Sequence, residues 1–404
     1  MPSFMLIAHS LITLNLFGAS FAGAVHSKLP RKVPNLSFFY FGWGLTGQIF
    51  AGPLVFMTVV SLYLASFGPT PSSLIVIVNI ATLMLLAIIL VQSWLGSVKL
   101  AQVASESPSA SFRRFVLGTL FPIRLRPCNV KRIKNISYGP YGRRNQLDIH
   151  SFRKRPMSPM PVLINVHGGG WVIGRKGFQA RPLIHYMASN GWLVVDINYS
   201  LGPWKRMPAM VQDVLRSVAW VKANISGYHG DPDFVALTGG SAGGHLVALA
   251  GLGFDLRAFK PGFEDADCSV DACVPVYGLY DLLDENGAMK GGKTELRDFL
   301  TRLVMPGSVT THKYAWDLAS PITHIRQDAP PMLFLHGRHD ALADFDSAQA
   351  FADSLDRVSR NTVIFAAIPA GQHGYDCAHA GPTPEHLGAV RRFLDSVRVE
   401  REAP

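Results

Sequence analysis

Apolar positions crowd the first quarter of the chain and thin out after it. Within residues 1–98 they form long stretches at about 4–25, 39–64 and 74–95. The third runs from Leu74 to Val91 without a charge, broken only by Asn79 and Thr82. About 20 such residues suffice to cross a hydrocarbon core. The second is also uncharged and carries Tyr40 and Trp43 near one end, where interfacial aromatics sit. The first is interrupted by His9, Ser10 and Asn15. The pattern predicts a hydrophobic helical membrane region over 1–98 with three spans, or two if the first stretch is not one. A cleaved leader fits that stretch less well, because no Lys or Arg opens it and its apolar run is long for a leader. A buried helical cap on a water-soluble enzyme is the other reading, and two long uncharged segments argue against it.

From residue 125 the pattern changes. Residues 131–150 alternate like a hairpin around Gly139-Pro140-Tyr141-Gly142. Short apolar runs at 161–166, 192–199, 234–238, 270–276, 331–336 and 362–368 read as strands. Helical spacing appears at 178–189, 208–225, 241–251 and 385–397. Strand alternating with helix predicts an α/β fold with a mostly parallel central sheet covered on both faces. The chain thus divides into the membrane region, a basic helical linker at 99–124, and a catalytic domain at 125–404 with a cap insertion at about 282–316.

Charge sharpens this division. Only 16% of the 404 residues are charged, yet the formal net charge is +10. Much of the excess lies at 113–155, directly after the apolar region, which points to anionic membrane lipid as a partner. No stacking aromatics alternate with that basic stretch, so nucleic acid is not expected. Lys28, Arg31 and Lys32 follow the first apolar stretch, and Lys99, Arg113, Arg114, Arg124 and Arg126 follow the third. The positive-inside rule then orients the catalytic domain to the cytoplasmic side. Cys128, Cys268, Cys273 and Cys377 fall at no metal-site or disulfide-scaffold spacing; a Cys268–Cys273 bridge would require an oxidising compartment.

Two glycine-rich segments carry the chemistry. Gly239-Gly240-Ser241-Ala242-Gly243 stands between a strand-like run and an apolar helix. A Gly-x-Ser-x-Gly segment in that setting projects the serine oxygen from a sharp turn, at a helix N-terminus that favours negative charge. Ser241 is therefore the expected nucleophile. His167-Gly168-Gly169-Gly170-Trp171 follows its own strand, and its bare backbone suits an oxyanion hole built from Gly169, Gly170 and Ala242. His167 is expected to support that loop by hydrogen bonding. His245 lies on the helix after the serine and reads as a packing or polar support residue. The absence of Lys-Ser/Thr after the glycines argues against a phosphate loop.

The acid and base should follow the serine in that order. Asp340 lies just past the strand at 331–336, and His373 just past the strand at 362–368. Ser241, Asp340 and His373 are the expected triad, with Asp344 and Asp346 as rival acids and His336, His339 and His379 as rival bases. Such a triad forms an acyl-enzyme on Ser241 and needs no metal or cofactor. Trp171, Tyr277 and Tyr280 are expected to line the substrate pocket.

With His336-Gly337-x-x-Asp340 and Gln372-His373-Gly374 added to the two glycine segments, residues 138–393 resemble the hormone-sensitive-lipase-like branch of the α/β-hydrolases. The domain head, Tyr138-Gly139-x-x-Gly142-Arg143-Arg144-Asn145-x-Leu147-Asp148, together with the hydrophobic N-terminal third, is similar to membrane-associated carboxylesterases of mycobacteria and related actinobacteria, the Lip family. The resemblance implies an α/β-hydrolase fold and hydrolysis of carboxylic esters, with an apolar acyl chain the expected substrate feature. An O-deacetylase acting on carbohydrates or small molecules through the same triad is the alternative. Oligomeric state leaves no mark on the sequence.

Overall fold

The computed structural model describes residues 2–24, 36–65, 73–103, 108–154, 156–284 and 293–402. The chain forms two compact units. One comprises Leu125–His336, Ala343–Ala366 and Ala389–Pro404; the other comprises Met1–Arg124, Gly337–Leu342 and Ala367–Gly388.

The larger unit is built on an eight-stranded sheet: β1 (Val130–Ser137), β2 (Gln146–Phe152), β3 (Met160–Val166), β4 (Leu193–Ile197), β5 (Gly230–Gly240), β6 (Ala272–Val276), β7 (Met332–Gly337) and β8 (Val363–Ile368). Its order is β1-β2-β4-β3-β5-β6-β7-β8. β1 and β2 form the expected antiparallel hairpin, β2 pairs antiparallel with β4, and β4, β3, β5, β6 and β7 run parallel. This is the α/β-hydrolase fold. Every residue of β3, β4 and β6 is buried, which is why these strands read as continuous apolar runs. β1 is mostly exposed, and Lys131, Arg132 and Lys134 lie along it, which discourages pairing with another edge.

Helices α6 (Arg181–Ser189), α7 (Ala209–Asn224), α8 (Ala242–Leu252), α9 (Lys293–Leu303), α10 (Lys313–Ala319), α11 (Phe345–Asp356) and α12 (Thr383–Glu402) complete the α/β pattern. On α7 the positions Met210, Val211, Val214, Leu215, Val218 and Val221 are fully buried, one apolar stripe facing the core. α8 is apolar all round and buried all round. α9 and α10 fall within or beside the stretch 282–316 expected to form a cap; residues 285–292 of it lie outside the described residues.

The other unit gathers α1 (Pro2–Ala24), α2 (Leu36–Ile49), α3 (Ala51–Ala65), α4 (Ser73–Val103) and α5 (Pro108–Leu120). Small residues let these helices approach closely. A β-carbon on Gly47 would lie 2.3 Å from the Ala19 carbonyl oxygen, and one on Gly52 would lie 2.3 Å from that of Thr119. The stretch 39–64 is not one straight span: its two helices meet at 86°. Phe50 and Leu54 donate to the carbonyls four residues back, but Pro53 has no N–H for Ile49, and in a continuous helix its ring would clash with that carbonyl. Among the described residues, one helix, Ser73–Gln102, is long and apolar enough to cross a membrane, and the bent pair makes a second if it is one broken span. It carries an exposed apolar stripe of Leu74, Ile77, Ile80, Met84, Ile88, Val91 and Leu95. α4 continues beyond residue 98, so the boundary expected there falls inside a helix. Lys28, Arg31, Lys32 and residues 66–72 and 104–107 lie outside the described residues.

Candidate active site

In the sheet-bearing unit, β5 ends at Gly240 and α8 begins at Ala242, with Ser241 alone at the turn. Ser241 adopts φ 59°, ψ −124°, a region costing a non-glycine residue roughly 1–3 kcal/mol. The Ser241 N–H donates to the Val276 carbonyl at 2.9 Å, and the His245 N–H donates to the Ser241 carbonyl at 3.0 Å. The flanking glycines follow from crowding. A β-carbon on Gly243 would lie 2.0 Å from the Val166 carbonyl oxygen, and one on Gly239 would lie 2.5 Å from it. Gly240 lies under the Tyr277 ring, whose hydroxyl would be 2.6 Å from an added β-carbon.

The 167–171 segment turns back immediately after β3. Gly169, Gly170 and Trp171 all have positive φ, at 118°, 58° and 61°. The Val172 and Ile173 N–H groups close the turn on the Gly169 carbonyl. The Gly168 N–H donates to Gln179 Oε1 at 2.6 Å. A β-carbon on Gly168 would lie 3.1 Å from Ser241 Cβ, which sets this loop beside the serine. His167 is buried; its Nδ1–H donates to the Gly168 carbonyl at 2.7 Å and its ring stacks on Tyr199, whose hydroxyl donates to the His167 carbonyl at 2.9 Å. Burial pulls the His167 pKa down to about 4, so the imidazole is neutral near pH 7.

Trp171 is buried, its indole N–H donating to His245 Nδ1 at 3.1 Å. His245 Nε2–H in turn donates to the Ala319 carbonyl at 2.7 Å. His245 is thus a buried polar support, neutral because burial lowers its pKa to about 4. Tyr277 lies beside the elbow, whereas Tyr280 is packed in the core, stacked on Phe351 and edge-on to Phe334. Phe299, on α9, sits 3.4 Å from where a β-carbon on Gly170 would be. Sequence reasoning missed Phe299 and Gln179, since neither stands in a motif.

In the helical unit, the loops following β7 and β8 are stitched together. The Arg338 N–H donates to Ile368 and the His339 N–H to Gly371. Gly337 and Gly371 approach so closely that a β-carbon on Gly337 would lie 2.0 Å from the Gly371 carbonyl oxygen. This brings Asp340 and His373 together. Both are buried, and His373 Nδ1 is 2.8 Å from Asp340 Oδ2. Asp340 Oδ1 accepts from the Leu342 N–H at 2.8 Å. Gln372 Oε1 accepts from the N–H groups of Ala341 and His373, tying the acid loop to the base loop. Of the rival residues, Asp344 and His336 lie in the sheet-bearing unit: Asp344 caps α11 by accepting from the Ser347 N–H, and His336 packs edge-on against Phe345.

A buried carboxylate–histidine pair, a serine on a strained elbow and a glycine-rich backbone loop are the parts of a serine hydrolase. The BD-FAE family model matches residues 147–355, about half of the chain. The chain belongs to the BD-FAE family. Among curated proteins of Mycobacterium tuberculosis, this BD-FAE member is 44% identical to "Probable carboxylic ester hydrolase LipM" over 67% of its own length and 62% of that protein's. It is 42% identical to "Esterase LipQ" over 66% of its own length and 63% of that protein's. It therefore spans less than two thirds of these relatives. Among solved structures, esterase B from Lactobacillus rhamnosis superposes with a TM-score of 0.59 at 21% identity, covering 76% of this chain and 98% of that one. A carbohydrate esterase from gut microbiota superposes with a TM-score of 0.58 at 21% identity, over 66% and 96% of the two chains.

Proposed function

We propose that this BD-FAE family member is a membrane-anchored serine carboxylesterase that hydrolyses esters with apolar acyl chains through an acyl-enzyme on Ser241. The observation that carries the reading is the Ser241 backbone, strained at the β5–α8 turn beside the 167–171 loop. Backbone strain of this kind is retained where the direction of the side chain matters. In the reaction His373 removes the Ser241 proton as the oxygen attacks the ester carbonyl. Asp340 fixes the imidazole in the tautomer with Nδ1–H and stabilises its positive charge. The N–H groups of Gly169, Gly170 and Ala242 hold the oxyanion, each donor worth about 3 kcal/mol in comparable hydrolases. The alcohol leaves with the proton from His373, and water repeats the sequence to free the acid and Ser241. Trp171 and His167 act from behind the loop, through His245 and Tyr199, while Tyr277 and Phe299 are the side chains best disposed to meet substrate.

Membrane attachment is supported by the exposed apolar stripe along α4 and by the excess of basic residues that follows it. Those charges orient the catalytic unit to the cytoplasmic face. The test is to treat membrane and soluble fractions with a fluorophosphonate probe, for wild type and Ser241→Ala. Labelling in the membrane fraction that the substitution abolishes is expected, with p-nitrophenyl esters from acetate to palmitate then hydrolysed by wild type alone. Unchanged labelling of Ser241→Ala defeats the nucleophile assignment. Release of acetate from acetylated glycans with lipid-like esters left intact supports the deacetylase reading instead.

A further inference from the structure

The helical unit does more than carry an apolar stripe, because one face of α2 is applied to the loop that bears His373. Phe41, Leu45 and Gln48 stand at i, i+4 and i+7, one side of a helix. The Phe41 ring meets the His373 imidazole edge-on, with centroids 5.8 Å apart at 78°. Leu45 sits 3.7 Å from where a β-carbon on Gly374 would be. Gln48 holds the backbone on the other side of the histidine at two points: its Oε1 accepts from the Gln372 N–H at 3.0 Å, and its Nε2 donates to the Ala370 carbonyl. Gly44, one turn before Gln48, lets the Gln372 side chain lie against the helix, since a β-carbon there would be 3.0 Å from Gln372 Nε2. Gln372 is the residue whose Oε1 binds both the His373 and Ala341 N–H groups.

We propose that Gln48 is a positioning residue for the proposed esterase reaction: through Ala370 and Gln372 it fixes the loop that aims His373, so the hydrophobic N-terminal unit sets the geometry of the catalytic base. This rests on the triad reading above. A primary amide suits the task because it satisfies a backbone N–H and a backbone C=O at once, as a neighbouring strand would. Both groups would otherwise be stranded in a partly buried apolar setting, and the 369–373 turn would be free to shift. A displacement of about 1 Å at a catalytic group can cost about a hundredfold in rate.

The experiment uses the full chain in native membranes. Gln48→Met keeps the length and loses both hydrogen bonds; Gln48→Glu keeps the acceptor for Gln372 and loses the donor to Ala370. Thr46→Ala, on the exposed side of α2, is the control. Competent sites are counted by exhaustive fluorophosphonate titration, and kcat is expressed per titrated site. The expected result is a kcat per site roughly ten- to a hundredfold lower for Gln48→Met, intermediate for Gln48→Glu, unchanged for Thr46→Ala, and KM within about twofold throughout. A merely structural role lowers the number of sites and leaves kcat per site at the wild-type value, which would overturn the proposal. Ser241→Ala separates the two readings: if it abolishes labelling, a failure of Gln48→Met concerns the clamp alone, and if it labels normally, the triad falls and the clamp with it.

Discussion

Replacing Gly243 with alanine tests whether the Ser241 turn and the glycine loop are held in register by direct backbone contact. The added methyl would lie 2.0 Å from the Val166 carbonyl oxygen, 2.8 Å from that of His167 and 2.9 Å from the Val166 carbonyl carbon. Side-chain β-carbons essentially never approach closer than 3.0 Å, so about 1 Å of movement is required. Val166 has little freedom to supply it: it is paired with Ile197 on β4 and with Gly239 on β5, and it is fully buried. The next residue is His167, whose carbonyl is held by the Tyr199 hydroxyl. Relief must therefore come by lifting α8, with Ser241 and Ala242 at its start, away from the 167–171 loop. Overpacking of this kind costs about 1–3 kcal/mol or more. At roughly 2–4 °C per kcal/mol for a domain of this size, Tm should fall by several degrees. The catalytic loss should be larger, about a hundredfold in kcat/KM for a shift near 1 Å. Gly227→Ala is the comparison: nothing lies within 4 Å of its added methyl, and the change in backbone entropy is the same. The assay pairs thermal unfolding with p-nitrophenyl butyrate hydrolysis. A Gly243→Ala enzyme within twofold of wild type in kcat/KM and within a degree in Tm would refute the argument.

Two further expectations concern the buried polar groups. Trp171→Phe removes the donor to His245 Nδ1 and leaves a buried acceptor unpaired, so stability should fall by about 1–3 kcal/mol; an unchanged urea midpoint would show that this bond contributes nothing. The pH dependence of stability follows from His150, held at a pKa of about 3, and from His167, His185 and His245, held at about 4, chiefly by burial, against 6.5 when unfolded. Depressed folded values mean that the unfolded chain binds protons first, so this stability is full above pH 6.5 and is lost as pH falls toward 4. Asp196, raised to about 7 by burial, has the opposite sign: its contribution is full below its unfolded value of 3.8 and is lost as pH rises through 7. Asp213 and Glu385, also raised by burial, share the sign of Asp196, and His324 and His386, also lowered by burial, share that of the other histidines. Six histidines outweigh three carboxyls, so Tm should drop between pH 6.5 and 4.5; a flat or rising Tm would contradict the burial argument.

What the sequence by itself determined about this protein is what depends on neighbours along the chain. The glycines around Ser241 and after His167 announce sharp backbone turns, because only a residue without a β-carbon tolerates those contacts. The fully apolar runs of β3, β4 and β6 announce strands covered on both faces, and the order of runs and helices announces the sheet. Asp340 and His373 were legible as loop residues after successive strands, and those loops meet because β7 and β8 are neighbours. The uncharged run at 39–64 looked continuous, although Pro53 was in plain view; a missing N–H bends a helix only as far as its packing allows, and that packing is tertiary. Beyond the Asp340–His373 pair, the long-range partners of the site residues were not legible. Trp171 meets His245 across 74 positions, and Gln48 meets Gln372 across 324. A hydrogen bond between such distant residues leaves no period or spacing in the chain, because its geometry exists only after the helices and the sheet have packed.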